Sequence, residues 1–126
     1  MRKAVCAVII KDGCLLLVKK GNFWILPGGK PEGEETDIEC LKREFKQELP
    51  DFRPTAGEHL GTFYGPTPRH PKELLRAEVY FAGGEGKITP AAEIKQAKWE
   101  KNPEKRRLSN ITQKIVLALR EERLFY

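Results

Sequence analysis

"LPGGKPEGEETDIECLKREFKQELP", from Leu26 to Pro50, is the stretch whose reading decides the fold. Pro27-Gly28-Gly29 reads as turn or loop, because glycine tolerates backbone conformations closed to other residues and proline fixes its own φ. Thr36-x-x-Glu39 has the form of a capping box and predicts a helix start near Thr36. Ile38, Leu41, Phe45 and Leu49 follow at steps of three, four and four, which is one apolar stripe along a helix. The stripe stops before Pro50, since a proline disfavours helical conformation in the residue preceding it.

With that stripe as the buried face, a repeat of about 3.6 residues per turn puts Asp37, Glu44 and Glu48 on a narrow strip beside it. Glu44 and Glu48, four residues apart, repel each other by roughly a few tenths of a kcal/mol on a helix. The chain as a whole is basic, with a formal net charge of +5, so this acid is a local concentration. Two carboxylates at the rim of a core raise each other's pKa unless a cation or fixed donors offset the repulsion. A hard divalent ion such as Mg²⁺ takes oxygen ligands and keeps several waters beside one or two carboxylates. The Pro27-Gly28-Gly29 turn can bring bare backbone carbonyls to the same point. The plain alternative is a solvated helix face laced with Glu–Lys pairs four residues apart.

Outward from this stretch, 126 residues suffice for a single domain, 1–126, with one ordinary core. A hydrophobic content of 40% and a charged content of 33% describe a soluble globular chain rather than a disordered one. "MRKAVCAVIIKDG" has a basic start and an apolar run, but the run ends at the Lys11-Asp12-Gly13 turn with no small-residue cleavage pattern. No stretch approaches the length that crosses a bilayer, and no membrane partner is expected; the cysteine usage points to the cytoplasm as the expected setting. Cys6, Cys14 and Cys40 are odd in number and lack close pairing, which reads as reduced thiols rather than disulfides or zinc ligands. The basic residues come in small groups, among them Arg2-Lys3, Lys19-Lys20 and Lys105-Arg106-Arg107. Solvated faces are the first reading of such groups, a funnel for an anionic small molecule the second, and a polynucleotide track the third.

"KAVCAVII" and "CLLLVKK" flank Lys11-Asp12-Gly13 as a hairpin, and "NFWIL" is a short strand. "HLGTFYG" and "LLRAEVYFA" read as strands joined by a proline-rich loop, and "KQAKWE" as another. Ser109 or Asn110 caps a closing amphipathic helix, "ITQKIVLALREERLF". Two helices and about six strands, with hairpins mixed among crossovers, predict an α+β fold with a mixed sheet covered on both faces.

Gly29-x5-Glu35-x7-Arg43-Glu44-Phe45-x-Gln47-Glu48 resembles the Nudix box, G-x5-E-x7-R-E-U-x-E-E-x-G-U with U a bulky apolar residue. "WILPGGKPE" is similar to the usual run into that box, and the element order is similar to small Nudix hydrolases over nearly the whole chain. Gly29, Glu35, Arg43, Glu44 and Glu48 match at unbroken spacing; Gln47, Pro50 and Asp51 depart from the pattern, and Phe45 matches loosely. The resemblance implies the Nudix fold, an α/β/α arrangement. It also implies Mg²⁺-dependent hydrolysis of a diphosphate linkage in a nucleoside diphosphate joined to another group, with Mn²⁺ as an alternative ion. Glu44 and Glu48 are then metal ligands, with the Gly28 carbonyl as a third. Arg43 and Glu35 pair to orient the helix and the Gly29 loop, and a metal-activated water attacks phosphorus. Glu93 stands where related enzymes often carry an extra acid, Glu48 is a second candidate base, and the facing of Glu78 depends on strand register.

For the substrate, Phe23, Trp24, Phe63 and Tyr64 are stacking candidates, although aromatic residues in strands more often pack in the core. Lys19, Arg69 and Lys72 are candidate phosphate contacts, and His70 is given no role. Gly65-Pro66 and Tyr64 fall near markers of two different Nudix substrate classes, so the nucleotide stays open. Two further readings stand beside the hydrolase. One is a catalytically weak nucleotide-binding sensor, supported by Gln47; the other is an RNA 5′-end pyrophosphohydrolase. A homodimer is also left open.

Overall fold

The capping box forms as its residues dictate: the Thr36 hydroxyl accepts from the Glu39 N–H, and the Glu39 carboxylate accepts from the Thr36 N–H at 2.9 Å. The helix it starts, α1, spans Asp37–Glu48. Leu41, Phe45 and Leu49 are buried together with Cys40, while Ile38 is half-buried. The computed structural model describes residues 1–67 and 70–125.

Pro50 shapes the exit from α1 without a glycine cap. The Phe52 N–H donates to the Leu49 carbonyl at 3.0 Å, closing a four-residue turn with Pro50 second, a position that suits its fixed φ. The Leu49 N–H donates to the Phe45 carbonyl, and the Ala91 N–H takes the Glu48 carbonyl at 2.9 Å. Helix carbonyls that a left-handed glycine would otherwise help satisfy are thus used by the turn and a neighbouring loop.

Among the described residues the strands are β1 Arg2–Val8, β2 Ile10–Lys11, β3 Cys14–Lys20, β4 Phe23–Ile25, β5 Gly28–Gly29, β6 Phe52–Pro66, β7 Leu74–Gly86 and β8 Ile94–Glu100. They form two four-stranded sheets. The first, β5-β1-β7-β6, is mixed: β1 is parallel to β7 and antiparallel to β5, and β6 and β7 form a long antiparallel hairpin. In the second sheet β2, β4 and β8 all pair antiparallel with β3. A 3₁₀ turn at Pro103–Lys105 precedes α2, Asn110–Glu121, whose N-cap is Ser109. The architecture is α+β, mixed sheet and two helices. Among the described residues no helix is long and apolar enough to cross a membrane.

Three local outcomes differ from the sequence reading. The first apolar run divides at Ile9 between the two sheets, so the hairpin across Asp12-Gly13 joins β3 to only two residues of β2. Lys11 pairs with Cys14, so the loop is two residues rather than three, with φ of 52° at Asp12 and 77° at Gly13. Pro27-Gly28-Gly29 is not simply loop, because β5 pairs with β1. Gly28 has φ 145° and lies so close to β1 that a Cβ would meet the Val5 carbonyl. α2 is also shorter than its amphipathic pattern, ending at Glu121.

Side chains alternate across each strand and so serve two cores. Val5, Ala7, Leu16 and Val18 pack with Cys40, Leu41, Phe45 and Leu49 on the side of α1. Val8, Leu15, Leu17, Ala77 and Val79 pack with Ile111, Ile115, Val116 and Leu119 on the side of α2. Burial on both faces explains why β1 and β3 read as nearly continuous apolar runs.

Candidate active site

The second half of α1 carries the acids. Glu48, the last residue of the helix, is only 2% exposed, and its Oε2 has no hydrogen-bond partner. Burial, then the nearby Glu44 charge, pushes its carboxyl up to about 7; Lys20 and a backbone hydrogen bond from Gly28 pull the other way. That bond follows from the strand register. The Ala7 N–H donates to the Pro27 carbonyl at 3.0 Å and Cys6 stands opposite Gly28. Gly28 is therefore a non-hydrogen-bonded position of the ladder, and its amide and carbonyl face away from β1. The Glu44 carboxylate lies over Gly29, where any Cβ would collide with it.

Arg43 gathers the surrounding chain. Its Nε donates to Glu35 Oε2 at 2.7 Å, and Nη2 donates to Glu35 Oε1 at 3.0 Å and to the Lys30 carbonyl at 2.8 Å. Nη1 donates to Glu44 Oε1 at 2.9 Å and, more weakly, to Gln47 Oε1 at 3.4 Å. The hydrogen bonds from Arg43 hold Glu35 below the usual carboxylate range, and Glu35 in turn raises Arg43. Both side chains are mostly covered, at 20% and 19% exposure, so this forked pair is firmer than an open surface bridge. Gln47 is exposed on the Arg43 side of α1. Asp37, expected on the strip with Glu44 and Glu48, is instead bound by Lys3 Nζ at 2.7 Å and by the Tyr80 hydroxyl. Burial raises its carboxyl, but these two hydrogen bonds outweigh it and leave the pKa lowered.

A cleft of about 700 Å³ is lined by Glu44, while Glu48 is not part of its lining among the described residues. Its lining includes Gly28 and Gly29 of β5, Cys6 of β1, Ala77 of β7, and Ser109, Ile111 and Thr112 at the start of α2. Lys20, Phe23 and Glu93 also line it. Glu93 Oε1 lies 2.9 Å from Lys20 Nζ, and both charges act on Glu48.

The other candidates lie apart. Trp24 is buried in the α2-side core with Arg106 stacked 5.0 Å from its ring, so it offers no face to a ligand. Phe63 packs against the same core. Tyr64, 47% exposed on β6, and Lys19 are outside the lining of the cleft among the described residues. Lys72 lines a separate surface hollow with Met1 and Arg2, and Arg69 lies outside the described residues. Glu78 faces His59 and Thr62, at the middle of the first sheet. His70, given no role from sequence, lines the cleft together with Thr67. Lys20, Ser109 and Thr112 were missed: alternation along β3 distinguishes Lys20 from Lys19 only once register is known, and the hydroxyls carry no signal beyond a helix cap. Among the described residues no group of three or more His, Cys, Asp or Glu side chains is placed to hold a metal; the acids brought close here are Glu44 and Glu48, with the Gly28 amide donating to Glu48.

A profile of the NUDIX domain matches residues 1–114. The chain belongs to the Nudix family. It is a Nudix-type hydrolase, an enzyme acting on phosphoric anhydride bonds. No curated protein matches the sequence. Among solved structures, the Nudix chain is similar to the E. coli ORF135 protein, with 23% identity over 98% of this chain and 93% of that one, at a TM-score of 0.78. It is also similar to the MutT protein from Methanosarcina mazei Go1, with 20% identity over 97% and 94% and a TM-score of 0.81. An ADP-ribose pyrophosphatase from Streptococcus suis 89-1591 aligns at 18% identity over 97% and 92%, with a TM-score of 0.74. At these identities the likeness carries the fold.

Proposed function

We propose that this Nudix hydrolase cleaves a diphosphate linkage in a nucleoside diphosphate joined to another group, with Mg²⁺ or Mn²⁺ held by Glu44, Glu48 and the Gly28 carbonyl. The observation that carries this reading is Glu48, buried at 2% exposure with Oε2 unpartnered and the Glu44 charge beside it. A buried unpaired oxygen next to a like charge is costly unless a cation completes the arrangement. A divalent ion held there would neutralise diphosphate charge and lower the pKa of a bound water, so that its oxygen becomes a nucleophile.

The chain supplies the rest. Arg43 keeps Glu44 and the Lys30 segment in place. Lys20 meets a phosphate, and Phe23, half-buried in the cleft lining, offers the ring face that Arg107 leaves uncovered. Glu93 is the proton acceptor in this reading, because it lies on the cleft and its charge reaches Glu48. Residues 1–126 act as one domain, since Ile115, Val116 and Leu119, beyond the profile match, complete the core. The cytoplasm is the proposed setting. The sensor reading rested on Gln47, whose oxygen leans on Arg43 while both ligand acids are retained, and that favours catalysis.

The test is a Mg²⁺-dependent panel of dNTPs, ADP-ribose, sugar nucleotides, diadenosine polyphosphates and triphosphorylated RNA, scored for phosphate and nucleoside monophosphate. Release from at least one nucleotide is expected. No release from any, with Mg²⁺ or Mn²⁺, overturns the reading.

A further inference from the structure

Three separate features converge on the pair formed by Lys20 and Glu93. β3 and β8 keep one register from Leu15 opposite Glu100 to Lys19 opposite Gln96, then slip so that Lys20 faces Ile94. The slip leaves Lys95 as a bulge, and a bulge re-aims the side chains around it. On the other side, the Ala91 N–H bonds to the carbonyl of Glu48 itself, and Ala92 takes a φ of 53°, unusual for a residue with a side chain. Glu93 follows directly, with Oε1 2.9 Å from Lys20 Nζ. The pair is 32% and 53% exposed, and both members line the cleft. Ion pairs this open contribute little to stability, so the bulge and the strained loop are not explained by what the pair does for the fold.

We propose that Lys20 is the exchange point of the site: it holds Glu93 through the ion pair, and the diphosphate of the substrate takes over its ammonium, turning the Glu93 carboxylate over to the reacting water. The proposal rests on the diphosphate-hydrolase reading above. A diphosphate offers more charge and more acceptor oxygens than one carboxylate, so the exchange runs toward the substrate. Only hydrogen bonds change in this step. In the hydrolysis that follows, the water oxygen bonds to phosphorus, the bridging P–O bond breaks with its electrons on the leaving phosphate, and the water proton passes to Glu93. Binding of the anion thereby readies the base, which keeps Glu93 engaged until a phosphate arrives.

The experiment is a binding cycle with α,β-methylene ADP, a non-hydrolysable diphosphate, measured by calorimetry in Mg²⁺ buffer on the wild type, Lys20→Met, Glu93→Gln and the double variant. Lys20→Met weakens binding about tenfold. Glu93→Gln tightens it about threefold, the scale of an exposed pair, and the gain vanishes when Lys20 is already Met. In turnover assays Lys20→Met raises KM and lowers kcat, and Lys20→Arg recovers most of the KM. If Glu93→Gln tightens binding equally in both backgrounds, Glu93 only repels the anion and the exchange is overturned. Normal turnover on the substrate panel with such an additive cycle removes the exchange alone. A wild type that neither binds the analogue nor hydrolyses any diphosphate removes the hydrolase reading and the exchange with it.

Discussion

Glu48 concentrates the chemistry of the site in one side chain. Its carboxyl gives up a proton near the ordinary 4.5 in the unfolded chain and near 7 in the fold, burial being the main cause and Glu44 the next. Raised in the folded state, the group stabilises fully below about pH 4.5, and that contribution is lost as pH rises through 7. A shift of this size corresponds to about 3 kcal/mol. In metal-free buffer Glu48→Gln is therefore expected to melt higher than the wild type at pH 8 and at the same temperature near pH 4.5, while turnover with Mg²⁺ falls by about a hundredfold or more. Melts across that pH range, read beside a turnover assay, decide it; a pH-independent difference, or near-normal turnover, takes Glu48 out of the site. Arg43 differs in kind, being a clamp on Glu35, Lys30 and Glu44. Arg43→Ala should lose about 2 kcal/mol of stability and most activity, and Arg43→Lys should restore little, because an ammonium cannot reproduce the fork. A Lys variant with wild-type melting and turnover would refute the clamp.

At the scale of elements, what matters is how α1 is entered and left. The capping box sets its start, the Glu44 carboxylate over Gly29 holds its second half against the loop, and its end is carried by Pro50. The family pattern has glycine at this position, yet here the exit is a turn that proline pre-orders. Pro50→Gly, which would match the pattern, is expected to destabilise by about 0.5–1 kcal/mol through the freer unfolded chain. Turnover at saturating Mg²⁺ should stay within about twofold. Denaturant titration measures the first and steady-state kinetics the second; a gain in stability would show that the turn is not what ends the helix. The loop at Ala91 to Glu93 is tied to this same end by the Ala91 N–H bond to the Glu48 carbonyl, which joins the helix end to the segment carrying the candidate base.

For the whole molecule, the two sheets bring β5, the end of β3 and the start of α2 around one cleft, although they are far apart in the chain. A cation that binds only this assembled arrangement stabilises the fold by mass action and competes with protons for Glu48. Millimolar Mg²⁺ is accordingly expected to raise the melting temperature by several degrees at pH 8, by less at pH 5.5, and not at all in Glu48→Gln. A scanning melt with and without Mg²⁺ at both pH values checks this. An equal shift at the two pH values, or one that survives Glu48→Gln, would place the cation elsewhere.

Much of the fold was legible from one stretch, because the signals there are local. A capping box, an apolar step of three and four, and a proline stop each act over a few residues, and they define α1 from Asp37 to Glu48 whatever surrounds it. The same spacing brought Glu44 and Glu48 together, since i and i+4 share a helix face. Asp37 obeyed that spacing too, yet Lys3 and Tyr80, distant in the chain, claimed it. Tertiary structure alone decided that Gly28 would be a strand residue with its amide turned to Glu48, that Trp24 would be core, and that Lys20 rather than Lys19 would face the cleft. Each of those outcomes depends on the register between segments, and one residue of slip sends a side chain to the opposite face.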